Sequence, residues 1–211
     1  MFRRSFLRGI AALLLCLSMG AQARAVPVDG ALNVTGSVLV TPTSLDFLPQ
    51  SPLEGGVGFV EVGAGSTGVF AILPFGTQGL ILDTPYAAGT AQPGFLTLAL
   101  FPGMAFDLTS LESGVFKSTR CGAGRPAAGQ TCTPAGTALS LVNTTDHSCA
   151  VFISLRGNFR SATGEEAPYA GVITFQFADR NFQRLLAGFA AGDFPVTTFS
   201  ASFAPAGQPQ Q

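Results

Sequence analysis

Cysteine, histidine and paired carboxylates are where this chain could do chemistry, and it holds few of them. Past residue 25 there are three cysteines (Cys121, Cys132 and Cys149), and the one histidine is His147. Cys121 and Cys132 bracket ten residues, Gly122 to Thr131, of which three are glycine and one is proline. A loop with so little apolar surface holds its shape poorly by packing, and in an oxidising compartment a Cys121–Cys132 disulfide staples it. Closing a loop of that size contributes roughly 3 kcal/mol in the chain-entropy picture. Zinc is the rival use of the thiols. Three cysteines and one histidine spaced by 11, 17 and 2 residues, however, contain no C-x-x-C knuckle. Cys149 opens a predicted strand and reads as a buried free thiol.

Asp146-His147-Ser148 has the ingredients of a hydrolytic triad. Consecutive residues cannot do that work, because the base must reach the nucleophile while a third group orients its far nitrogen. Asn143 to His147 reads instead as a polar turn with His147 exposed. Gly63-Ala64-Gly65-Ser66-Thr67-Gly68 has the G-x-G-x-x-G spacing of a dinucleotide loop. The run Val69 to Pro74 after it is β-type and not helical, so a hairpin turn accounts for the glycines. No G-K-[ST] occurs, which excludes a P-loop. Glu165 and Glu166, in the turn from Thr163 to Pro168, are the candidate metal ligands, for calcium, although no D-x-[DN]-x-[DN]-G loop supports them. A carboxylate-based hydrolase needs two carboxyl groups about 5–10 Å apart across a cleft, and the twelve acidic residues here are scattered. With no Trp and only two Tyr, aromatic platforms for a sugar are scarce. None of these motifs requires a cofactor.

The elements that must position these residues are mostly strands. Ile173, Phe175 and Phe177 alternate with Thr174 and Gln176, and Phe199, Ala201 and Phe203 alternate with Thr198, Ser200 and Ser202. Leu32, Val34, Val38 and Val40 form a third such row, and Val151, Ile153 and Leu155 a fourth. Further segments of this kind fall at 57–62, 68–73, 79–83, 95–101, 104–109 and 138–143. Phe182, Leu185, Leu186 and Phe189 break the rhythm with helical spacing. Asp179 is placed to cap that helix and Gly192 to end it. The pattern predicts an all-β fold: an antiparallel β-sandwich, jelly-roll-like, with one short C-terminal helix.

Composition narrows the class. Gly and Pro together make close to a fifth of the 211 residues, and only 11% are charged. Arg3, Arg4 and Arg8 precede an uncharged run from Gly9 to Gly20, then small residues, which is the order of a secretory signal peptide. Two A-x-A sites follow, and cleavage after Ala25 leaves Val26 first. Arg3-Arg4-Ser5-Phe6-Leu7-Arg8 is also similar to the twin-arginine export motif. The predicted organisation is therefore a signal peptide at 1–25, one β domain at 26–204 and a flexible tail at 205–211. Loss of residues 1–25 removes four arginines, leaving seven cations against twelve carboxylates, net −5. That balance disfavours nucleic acid as a partner, and no stretch past residue 25 is built as a permanent membrane anchor.

The segment Ala167-Pro168-Tyr169-Ala170-Gly171-Val172-Ile173-Thr174-Phe175-Gln176-Phe177, the Leu185-Leu186 helix and Thr198-Phe199-Ser200-Ala201-Ser202-Phe203 carry a family likeness. Together with Leu32 to Thr41 and Ser66 to Phe70, they resemble exported bacterial β-rich proteins of unassigned function, many of which end in a PEP-CTERM sorting tag. The Pro-Glu-Pro, apolar helix and arginine cluster of that tag are missing after Ala206. The resemblance implies an extracytoplasmic β-rich domain, periplasmic or secreted, and supplies no catalytic residue. The sequence thus points to a non-enzymatic exported protein with a structural or surface- and matrix-interaction role. A carbohydrate- or calcium-binding module and a carboxylate-based hydrolase are the alternatives. Self-association, or contact with an extracellular polymer, suits its uncharged Ser/Thr-rich strand faces.

Overall fold

A computed structural model of the chain describes residues 29–49, 57–122 and 124–206. The segment read as a signal peptide lies outside them, as does the tail beyond Ala206. Strands occupy β1 (Leu32–Val40), β2 (Ser44–Phe47), β3 (Val57–Val62), β4 (Gln78–Leu82), β5 (Thr84–Pro85), β6 (Gln92–Leu98) and β7 (Ala105–Leu111). They continue with β8 (Thr131–Cys132), β9 (Ser140–Asn143), β10 (Cys149–Arg160), β11 (Glu166–Phe177) and β12 (Val196–Pro205). Among the described residues one α-helix, α1 (Phe182–Ala191), joins β11 to β12.

These strands form a barrel and not the predicted sandwich. β1, β3, β4, β6, β7, β10, β11 and β12 pair in that order, each with the next, and β12 returns to β1 from Leu32↔Phe203 to Leu39↔Val196. Every pairing is antiparallel, so eight strands close as an up-and-down ring. Alternation could not reveal this. It tells which side of a sheet each residue faces, and two stacked sheets and one closed sheet give the same in-and-out rhythm. What separates them is whether the last strand finds the first.

Glycine opposite an aromatic ring lets the wall curl. Gly36 pairs with Phe199, Gly157 with Tyr169 and Gly171 with Phe203. A Cβ on Gly171 would stand 2.7 Å from the Phe203 ring, and one on Gly157 would stand 2.5 Å from the Tyr169 ring and 2.1 Å from the Asp107 carbonyl. In each pair the ring lies over the space that a Cβ would fill, a device that allows tight curvature without leaving a void. A bulge at Thr109 of β7, opposite the Arg156–Gly157 step of β10, adds a further bend to the wall.

A shorter tier sits on one end of the ring. There β1 leaves β3 and pairs with β2, which pairs with β5. The chain after β5 bridges Ala87 to Thr137, and the Ala138 N–H donates to the Tyr86 carbonyl at 2.9 Å. The chain then enters β9, which pairs with the first residues of β10. β2 and β5 are four and two residues long, too short to leave a period in the sequence, whereas β9 falls within the predicted segment 138–143.

The inward rows are apolar: Leu32, Val34, Ile153, Leu155, Ile173, Phe175, Ala201 and Phe203 are all buried. The outward rows carry Asn33, Thr35, Ser37, Thr174, Gln176, Thr198 and Ser200, the reverse of a lipid-facing barrel. At the end where β1 begins, Phe70, Phe106, Phe159, Tyr169 and Phe203 meet with ring centroids 4.9 to 5.8 Å apart. About 10 Å³ remains among them, no more than one water needs. Phe70 belongs to the segment 68–73 predicted as a strand. It lies instead on a 3-10 turn, Gly68–Ile72, that drops its ring into the opening. The preceding glycine loop therefore leads to this plug and not into a hairpin. Its Thr67 N–H donates to the Ala31 carbonyl, and the Thr67 hydroxyl accepts from the Ala31 N–H, each at 2.9 Å.

Candidate functional site at the stapled loop

Between β7 and β9 the chain makes its longest excursion. It holds a second 3-10 turn, Ser118–Arg120, and the short strand β8. Cys121 and Cys132 sit at disulfide distance, with sulfurs 1.93 Å and Cα atoms 4.8 Å apart, as their spacing predicts. Thr133 and Ser140 anchor the approach: their hydroxyls accept from the Phe116 and Val115 N–H groups, both at 3.1 Å.

Side-chain amides hold the far half of the loop. Buried Asn143, the last residue of β9, donates to Gln183 at 2.9 Å and to Gln130 at 3.3 Å, while its carbonyl accepts from the Phe182 N–H at 2.8 Å. Gln183 donates to Gln130 at 2.8 Å, and Gln130 donates to the Arg125 carbonyl at 3.1 Å. Asn181, equally buried, donates to the Asp146 carbonyl at 2.6 Å and accepts from the Arg184 N–H at 2.9 Å. Asn181 is thus the helix cap, where the sequence pointed to Asp179, and Gly192 ends the helix in the left-handed region as predicted. Asp179 lies two residues too early, and Asn181 alone has both extended backbone and a buried side chain there. The loop, the β9–β10 turn and α1 are tied as one unit. No buried side-chain polar atom among the described residues lacks a partner.

The loop is cationic. No Asp or Glu occurs between Glu112 and Asp146, whereas Lys117, Arg120 and Arg125 all lie there. All three are exposed and make no ion pair among the described residues. Elsewhere Arg156 pairs with Glu112, Arg160 with Asp107 and Arg180 with Asp193. Two open depressions flank the loop and share Ala128. One, of about 530 Å³, is bordered by Arg125, Thr144, Thr145 and Asp146; the other, of about 370 Å³, by Arg120, Gln130 and Thr131. A third, of about 410 Å³, lies on the outer wall by Thr35, Ser37, Phe59 and Glu61, with no cation.

The candidates for catalysis do not assemble. His147 Nδ1 faces Asp146 at 2.6 Å, with both side chains open to solvent. The Ser148 hydroxyl bonds Thr144 at 2.6 Å and Thr145 at 2.7 Å, so it is engaged away from the imidazole. Glu165 closes a turn in which its N–H donates to the Ser161 hydroxyl, while Glu166 has entered β11 opposite Arg160. The β7 carboxylate of Asp107 is held by the Arg160 guanidinium at 2.8 and 3.1 Å. Among the described residues no three His, Cys, Asp or Glu side chains gather as a metal site. Cys149 is buried, and burial pushes its thiol up to about 12, leaving it protonated and unreactive.

Comparison of the chain with protein-family models, with curated proteins and with solved structures gives no match. The site therefore stands on its own residues. Sequence reasoning found the staple but missed the amide network and the loop's charge. The run free of Asp and Glu between Glu112 and Asp146 was the available signal.

Proposed function

We propose that the protein is an exported, non-enzymatic barrel whose role is adhesion to, or structure within, surface or matrix material outside the cytoplasm. The observation that carries this reading is the pairing of a packed interior with a rigid outer loop whose cations are unpartnered. A core filled with aromatic rings offers no chamber for a small substrate at its Phe70 end, while the stapled loop presents charge and hydrogen-bonding groups outward. The basic-apolar-small order of residues 1–25 and the likeness to tagged exported proteins support export. The disulfide-distance pair fits an oxidising compartment.

Cell fractionation of the full chain tests this. The expected result is a product beginning at Val26, outside the cytoplasm, retained by cell-surface or matrix material and released by salt. Cytoplasmic retention overturns the reading, as does hydrolysis of ester, peptide or glycoside substrates that an Asp→Asn or Glu→Gln change abolishes.

A further inference from the structure

We propose that the stapled loop is a binding site for an acidic polysaccharide, with Lys117, Arg120 and Arg125 meeting its carboxylates. The proposal rests on the surface-interaction reading above and names its ligand and its residues. Charge is the first argument. The stretch between Glu112 and Asp146 carries three cations and no acid, while the rest of the chain past residue 25 carries four cations against twelve acids, net −8. Such segregation sets a cationic loop on an acidic body, and the loop attracts an approaching polyanion.

Rigidity is the second argument. Unpaired arginines on a floppy loop would lose much of their binding free energy to ordering. Here the Cys121–Cys132 link holds one side, and Gln130, bonded to Asn143 and Gln183, holds the other. The arginines leave a backbone that is already fixed, and a planar guanidinium suits a carboxylate in two-pronged fashion. Shape is the third. Two depressions that share Ala128, one by Arg120 and one by Arg125, make a track for a chain and not a cup for a lone ion. Beside the arginines stand Thr131, Thr144 and Thr145, whose hydroxyls match sugar hydroxyls, and Asp146 is the one carboxylate bordering these depressions. No Tyr or Trp borders either depression, so the stacking that single-stranded nucleic acid relies on is missing.

The test is electrophoresis of the disulfide-intact protein through gels holding polygalacturonate, neutral dextran or DNA. Retardation by polygalacturonate alone, suppressed by salt, is the expected result. R120Q/R125Q weakens it by about tenfold per arginine, the size of one charge-assisted hydrogen-bonding pair, while R156Q leaves it unchanged. Melting temperature checks that R120Q/R125Q still folds; if it does not, K117Q carries the test, with a smaller loss of retardation expected. Equal retardation by dextran overturns the proposal, as does retardation by DNA at the same salt, or a mobility that neither R120Q/R125Q nor K117Q changes. A protein retained on matrix material whose retention survives R120Q/R125Q refutes the loop as the site and leaves the surface role standing. A protein not retained at all refutes both.

Discussion

At the end where β1 begins, five aromatic rings fill the mouth of the ring; at the other, three amide side chains bond one another beneath the stapled loop. Ring packing is collective and weakly directional, so it contributes most to stability and little to the placement of any one group. An amide network is directional, and each member lost leaves another buried polar group without a partner. The aromatic end accordingly holds the fold together. The amide end spends its interactions on fixing where the loop stands.

Mutations can break this contrast. Phe106→Ala, at the centre of the ring cluster, removes a fully buried side chain and is expected to cost about 3–5 kcal/mol by denaturant unfolding. Replacing Cys121 and Cys132 together with Ala is expected to lower stability by roughly 3 kcal/mol, with amide exchange rising most at residues 117–131. Asn143→Ala strands the Phe182 N–H and an acceptor on Gln183, at a cost of about 2 kcal/mol. It should loosen Gly129 and Gln130 by hydrogen exchange while residues 68–72 stay protected. Asn181→Ala removes the helix cap and costs about 1 kcal/mol by thermal melting.

Acid sharpens the same contrast, with opposite signs at the two ends. Burial pushes the Asp107 carboxyl up, but the Gly94 N–H and the Arg160 guanidinium outweigh it and hold the group below the usual carboxylate range. Its contribution to stability is complete above the unfolded-state value and fades as pH falls through the folded one. Asp83, by β5, is raised chiefly by burial despite the Phe47 N–H, so acidification favours its folded form. Asp107→Asn should flatten the acid limb of a stability profile. Asp83→Asn should steepen it. Both are read by melting temperature across pH.

Much of the wall was visible in the sequence because β1, β11, β12 and β10 from Val151 onward alternate and bury one face. Their inward rows, the helix and the Cys121–Cys132 pair all follow from local pattern. Closure does not, since it depends on Leu32 meeting Phe203 from opposite ends of the chain. The Gly–aromatic pairs were equally hidden, because Gly157 and Tyr169 become neighbours only through register. The run 68–73 misled because a short apolar stretch fits a strand as well as a plug, and only the position of Phe70 over an open ring decides. Asn143 read as turn because polar residues follow it, yet its side chain faces inward beneath α1.

The β1–β12 seam ties the order of synthesis to the order of folding. β1 is made early, yet its β12-facing backbone groups are met only by residues made after Val196. Until then the growing sheet has an open lip that could join a neighbour's. A chain that stalls before β12 thus carries the edge that the finished barrel hides, and a neighbour's open strand can add to it until the circle is complete.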